Sequence, residues 1–131
     1  MREILFRAKR IDNGEWVEGL PQKMWGEWHI INSDDENTAY PIVPKTVSQY
    51  TGLKDKNGNR IWENDIVRTT KFGKDDGNGH NYAGFDVFVV KWDDGGFALF
   101  NKWRRFNLRT DEKSYEILGK VFDNPELLKG E

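Results

Sequence analysis

The sequence has no cysteine, only 2 histidines and only 4 prolines among its 131 residues. Without cysteine, the chain has no disulfide scaffold, no thiolate metal site and no cysteine nucleophile. No apolar run approaches the roughly 20 residues of a membrane-spanning helix, and Met1-Arg2-Glu3 leads into no signal-peptide core. The 20 basic and 22 acidic side chains leave a net charge of −2. We therefore expect a soluble globular protein located in the cytoplasm.

Aromatic residues are abundant. The 8 Phe, 6 Trp and 4 Tyr are almost as numerous as Ile, Leu and Val together. Aromatic side chains bury large areas and are favoured on the half-buried, pleated surfaces of strands. A chain with this aromatic content and little net charge does not have the composition of a disordered protein. The composition therefore favours a folded, β-rich domain.

Strand and turn signals follow each other along the chain. Apolar or β-branched runs recur about every ten residues, and turn sequences such as Asp12-Asn13-Gly14 and Asp93-Asp94-Gly95-Gly96 separate them. One such run, residues 25–31, is predicted as a strand. This spacing is typical of small closed or nearly closed barrels, and no stretch has the pattern of a long amphipathic helix. The predicted fold class is mainly β.

The domain organisation follows from the same pattern. Residues 61–122 are predicted to form a five-stranded SH3-like β-barrel, and residues 1–50 a β-rich N-terminal extension packed against it. Residues 51–60 form a turn-rich connector and residues 123–131 a C-terminal tail, so that the chain makes one compact unit. The aromatic residues expected in the barrel core are Trp62, Phe85, Phe88, Trp92, Phe97 and Phe100.

The sequence offers no convincing catalytic or metal-binding arrangement. His29 and His80 lack the spacing of zinc ligands, and neither is paired with a nucleophile at short range. Asp55-x-Asn57-x-Asn59 copies the start of a calcium-binding loop, but the glycine and glutamate that such a loop needs further on are absent. We predict no catalytic residue, no metal site and no cofactor. An enzyme would require a pocket in which Asp65 or His80 has a shifted pKa.

One stretch, residues 100–113, interleaves basic and aromatic side chains as single-stranded nucleic-acid binders do. The net charge of −2 gives no overall attraction to phosphate. An arginine beside an aromatic ring is also a common way to cover the end of a barrel. Nucleic-acid binding is therefore the second hypothesis. Its candidate contacts are Lys102, Trp103, Arg104, Arg105 and Arg109.

Residues 46–58 (TVSQYTGLKDKNG) and 61–67 (IWENDIV) closely resemble the signature of the YopX family, which consists of small bacteriophage and prophage proteins. The opening residues 2–8 and the closing residues 118–128 agree with that family as well. Asn64 and Lys120 stand where family members usually have Gly and Asn. The resemblance implies a phage or prophage origin and a bacterial host cytoplasm. It implies no activity, because the family has no established biochemical function.

The central motif consists mostly of turn and core residues, which indicates a role in maintaining the fold. Its structural residues are Tyr50, Gly52, Leu53, Asp55, Asn57, Gly58 and Asp65. Four tryptophans fall outside the predicted barrel core and are the candidate protein interface: Trp16, Trp25, Trp28 and Trp103. The leading hypothesis is a non-enzymatic binding or assembly module that acts through protein–protein contacts, including self-association into a homo-oligomer.

Overall fold

A computed structural model describes residues 4–69, 86–102, 104–108 and 115–128. The chain divides into two compact units, the first ending at Tyr50 and the second beginning at Thr51. Within the described residues the fold is mainly β, as the sequence predicts, with two antiparallel sheets and two short 3-10 helices. None of the described helices has the length and hydropathy needed to cross a membrane.

Eleven strands are described. The first sheet has the strand order β4-β3-β2-β1-β5-β6 and the second the order β10-β9-β8-β7-β11. The strands are β1 Phe6–Lys9, β2 Trp16–Met24, β3 Glu27–Asn32, β4 Ala39–Pro41, β5 Ser48–Lys54, β6 Arg60–Trp62, β7 Asp65–Thr69, β8 Val87–Asp93, β9 Gly96–Phe100, β10 Arg105–Asn107 and β11 Tyr115–Lys120. The 3-10 helices are Pro44–Thr46 and Pro125–Leu128.

In the first unit, the ends of β1 and β4 meet. Arg10 forms a bridge with Ile42, and the backbone N–H of Val43 donates to the carbonyl oxygen of Lys9 at 2.9 Å. The sheet therefore curls around a small core of Ala8, Ile30 and Ile42, all fully or almost fully buried. Isoleucine at two of these three positions agrees with the preference for β-branched side chains on the pleated surface of a sheet.

In the second unit, the sheet encloses a larger core, but it is open. Among the described residues, β10 pairs with β9 and β11 pairs with β7, and no pairing joins the two edge strands. The prediction of an SH3-like barrel is therefore not confirmed, since the described strands of this sheet do not close into a barrel. Closure depends on strand tilt and on the stagger between strands, which the spacing of strand signals does not report. The buried core residues are Ile61, Val67, Phe88, Val90, Phe97, Leu99 and Tyr115.

The predicted aromatic core is correct for Trp62, Phe88 and Phe97, which are buried. The prediction is wrong for Trp92, because its side chain is 48% exposed. Its ring contacts the ring of Phe97 edge-on. It lies near the end of β8, where the strand has passed beyond the core and its last residues face solvent. Phe100 is half-buried, and Phe85 lies outside the described residues.

The turn after β5 is organised by the carboxylate of Asp55, which is almost fully buried. One of its oxygens accepts hydrogen bonds from the backbone N–H groups of Asn57 and Asn59, both at 2.9 Å. The other accepts from the N–H of Ile117 at 3.1 Å, and the N–H of Lys56 donates to the carbonyl oxygen of Tyr115. This turn therefore supplies hydrogen-bond partners to the edge of β11. Burial alone would raise the pKa of Asp55, but the donated hydrogen bonds outweigh it and lower the pKa.

A second turn joins β6 to β7. Asn64 has a φ of +70°, a left-handed conformation that asparagine tolerates better than most residues. Its side-chain oxygen accepts a hydrogen bond from Lys91 Nζ at 2.6 Å. The carboxylate of Asp65, also buried, accepts from the backbone N–H of Trp62 at 2.8 Å. Asn64 thus keeps the left-handed conformation on which this turn depends.

Replacing Asp55 with Asn is expected to destabilise the protein by about 1–3 kcal/mol at pH 7, because the amide cannot accept all three hydrogen bonds. Since the folded state lowers the pKa of Asp55, the carboxylate stabilises the fold above the unfolded value of about 4 and loses this effect as pH falls through the folded pKa. The difference in the free energy of unfolding between wild type and Asp55→Asn, measured with urea, should therefore become smaller as the pH is lowered. The matched control is Asp94→Asn, at an exposed turn position with φ +50°. An equal loss of unfolding free energy in this control would contradict the stabilising role of the Asp55 carboxylate.

Candidate interaction surface

The four candidate interface tryptophans do not lie on one surface. Trp16 is half-buried on β2, with the guanidinium of Arg7 4.8 Å from its ring centroid. Trp25 is 89% exposed at the end of the β2–β3 hairpin, whereas Trp28 on β3 is 41% exposed. Trp103 lies outside the described residues. The two most exposed of the described candidates therefore both belong to the β2–β3 hairpin.

The hairpin turn contains Trp25 and Gly26, so β3 begins at Glu27 and the strand predicted from residue 25 starts two residues late. Both turn residues have positive φ, +52° and +80°, as a type I′ turn requires. Asn-Gly is the usual pair in such a turn, because a bulky residue in the left-handed region is strained by roughly 1–2 kcal/mol. The Trp25 ring meets the His29 ring edge-on at 5.9 Å. The chain thus holds a strained tryptophan in solvent.

The face of the hairpin that carries His29 follows from the strand register. Leu20 pairs with Ile31, Gln22 with His29, and Met24 with Glu27, and paired residues lie on the same face of a sheet. Because Trp25 contacts His29, it extends this face beyond the strands. We call this set the hairpin face: Leu20, Gln22, Met24, Trp25, Glu27, His29 and Ile31. It contains one carboxylate and neither lysine nor arginine.

A cavity of about 290 Å³ opens at the base of the hairpin face. Its apolar walls are Ile4, Leu5, Leu20 and Ile31, and its rim includes Asn32, Ser33 and Glu36. Ile4 is 66% exposed and Leu20 is 54% exposed. Gly19 also lines it, and a side chain there would collide with the backbone, since a Cβ atom would lie 1.7 Å from the Ile31 oxygen. We call this hollow the base cavity.

Trp28 belongs to the opposite face, because consecutive residues of a strand point to opposite sides. With Pro21, Pro44 and Val47 it lines a separate apolar groove of about 300 Å³. Val47 also packs against the buried core of the first unit. This groove is therefore an outward continuation of that core, and Trp25 and Trp28 belong to different surfaces.

Arg104 and Arg105 of the predicted nucleic-acid patch both contact other residues of the chain. Arg105 Nε lies 2.7 Å from a carboxylate oxygen of Asp93, and the Arg104 guanidinium lies 5.2 Å from the ring centroid of Phe106. Asp93 and Asp94 line an adjoining cavity of about 440 Å³. Lys102 is exposed, while Trp103 and Arg109 lie outside the described residues. Nearby carboxylates weaken the positive field that phosphate binding needs.

The model of the YopX protein family matches residues 5–129. The chain belongs to the YopX family. The solved structure of protein EF1440 from Enterococcus faecalis is similar, with a TM-score of 0.63 and 22% sequence identity, covering 98% of this chain and 99% of that one. At this identity the likeness shows the fold alone. No functionally curated protein matches the chain.

In this YopX protein the residues of the central motif lie along β5, in the Asp55 turn and at the start of β7. Tyr50 is buried and its N–H donates to the Leu5 oxygen, while Leu53 packs against the core of the second unit. Gly52 and Gly58 both have positive φ, and Asn57 is exposed. Among the described residues, no group of three His, Asp or Glu side chains could hold a metal ion. His80 lies outside them.

The sequence indicates Trp25 as a candidate contact but does not indicate the base cavity. The cavity depends on Leu20 lying opposite Ile31, and this register follows from a two-residue turn at Trp25 and Gly26. In the sequence, only Gly26 indicates this turn. Trp-Gly is not one of the usual turn pairs, so the register could not be predicted from it. Ile4 is exposed at the cavity wall.

Replacing Trp25 with Asn is expected to stabilise the isolated protein by about 0.5–1 kcal/mol, because asparagine relieves left-handed strain and the exposed indole buries little surface. Urea unfolding with an unchanged m-value measures the gain. Gly26→Ala, at φ +80°, is the control. This change should lower the free energy of unfolding by about 1 kcal/mol, because alanine is strained at positive φ. A Trp25→Asn protein less stable than wild type would show that the indole packs on its own chain.

Proposed function

We propose that this YopX protein is a non-enzymatic binding or assembly module that uses the hairpin face to contact another protein. The observation that carries the proposal is the combination of strain and exposure at Trp25. A backbone conformation costing roughly 1–2 kcal/mol holds the largest side chain in solvent, where it is 89% exposed. Such strain is characteristic of positions retained for function.

The chemistry of the hairpin face favours a protein partner. Tryptophan is among the residues that contribute most to binding energy at protein interfaces, and the centres of interfaces are poor in charged residues. Between Leu20 and Ile31 this face has Glu27 as its one carboxylate and contains neither lysine nor arginine. A phosphate backbone or an anionic membrane would require lysine and arginine instead. No cofactor enters this function.

The biological setting belongs to the same proposal. We infer a phage- or prophage-encoded accessory protein that meets its partner in the cytoplasm of a bacterial host. The support is membership of the YopX family together with the phage and prophage origin that the resemblance of residues 46–67 implies. The buried carboxylate of Asp65 accepts a hydrogen bond from the backbone N–H of Trp62, which favours a structural role for this side chain.

The experiment compares what is retained by the immobilised wild-type chain and by its Trp25→Asn variant. Both are exposed to a bacterial lysate that has been supplemented with purified, untagged copies of this chain. At least one protein should bind to the immobilised wild type. The amount of that protein bound to the Trp25→Asn variant should be at least tenfold lower. Trp92→Thr, which removes an exposed indole from a strand of the second unit, is the matched control and should behave as wild type. If nothing retained depends on Trp25, the proposal is wrong.

A further inference from the structure

We propose that the partner of the hairpin face is the same face of a second copy of this chain, with Trp25 of each copy seated in the base cavity of the other. This inference rests on the proposed function and names its partner. The exposed ring of Trp25 lies at one end of the hairpin face, and the apolar base cavity opens at the other end. A surface that carries both a projection and its recess can pair with itself about a two-fold axis.

The spacing along the hairpin suits this pairing. Leu20 at the cavity and Trp25 at the turn are five residues apart, which is roughly 17 Å along a strand. A two-fold axis through the middle of the face, at the Gln22–His29 pair, places each Trp25 over the other copy's cavity. Both contacts then form together, so each strengthens the other.

The base cavity has the chemistry of an indole site. Four aliphatic side chains form its walls, and the carboxylate of Glu36 lies on its rim. Buried tryptophan generally needs an acceptor for its ring N–H, and Glu36 provides one. Gly19 also lines the cavity and tolerates no side chain, because a Cβ atom there would lie 1.7 Å from the Ile31 backbone oxygen.

The surface area is sufficient for a reversible dimer. Ile4, Leu20 and Trp25, the most exposed apolar side chains at the two ends of this face, together present roughly 500 Å² of apolar surface per copy. Two copies would bury about 1,000 Å², which is near the lower limit for a specific interface. We therefore expect a dimer with a dissociation constant on the order of micromolar.

Sedimentation velocity over a concentration series tests the pairing with the full chain. Wild type should shift from monomer to dimer as concentration rises, and Trp92→Thr should do the same. Trp25→Asn removes the projection and Leu20→Lys puts a charge into the cavity, so each should weaken dimerisation at least tenfold. Because Leu20 is half exposed, the lysine variant should fold. Ile4→Lys, at a still more exposed wall position, repeats the test if it does not.

Mixing the two variants gives the most specific result. A Trp25→Asn homodimer has no projection, and a Leu20→Lys homodimer has two blocked cavities, but the heterodimer retains one intact contact. Native mass spectrometry of the mixture should therefore show more heterodimer than either homodimer. The inference is overturned if wild type stays monomeric, if either variant dimerises like wild type, or if mixing produces no excess of heterodimer. A monomeric chain that still retains a lysate protein through Trp25 would remove the self-pairing and leave the proposed function intact.

Discussion

A chain folded almost without helix must provide each buried backbone N–H and C=O with a partner from another strand or from a side chain. The carboxylate of Asp55 meets this requirement at the edge of β11, where it accepts the N–H of Ile117 from 62 positions further along the chain. In the first unit, the bridge between Arg10 and Ile42 joins the ends of β1 and β4. Unsatisfied edges of this kind pair readily with other chains, so the turns that cover them protect the fold.

The β2–β3 hairpin differs from these turns, because its conformation is not the one that best stabilises the fold. Asparagine or glycine would satisfy the positive φ at position 25 without strain, yet tryptophan stands there and is almost fully exposed. Its position matters because Leu20 and Ile31 form an apolar hollow on the same face. The hairpin thus combines local strain at Trp25 with an exposed ring and an apolar hollow, and the proposed pairing depends on that combination.

Local chemistry explains what could be predicted from the sequence. The turns at Asp55 and Asn64 were recognisable because Asx side chains bond nearby backbone and tolerate left-handed conformations, and Trp62 and Phe88 lie in apolar strand runs. The open sheet of the second unit and the exposure of Trp92 were not predictable, since both depend on how far strands extend past the core. The hairpin face could not be predicted either, because its register is fixed by a Trp-Gly turn that does not follow the usual Asn-Gly pattern.

The central claim is that Trp25 is held in solvent to make a contact with a second copy. Amide hydrogen exchange of the wild-type chain, followed at low and at high protein concentration, tests it most directly. The account predicts slower exchange at high concentration in residues 19–31 and at the cavity wall near Leu5, and no such change in Trp25→Asn. Exchange that is independent of concentration, or protection confined to the second unit, would contradict it.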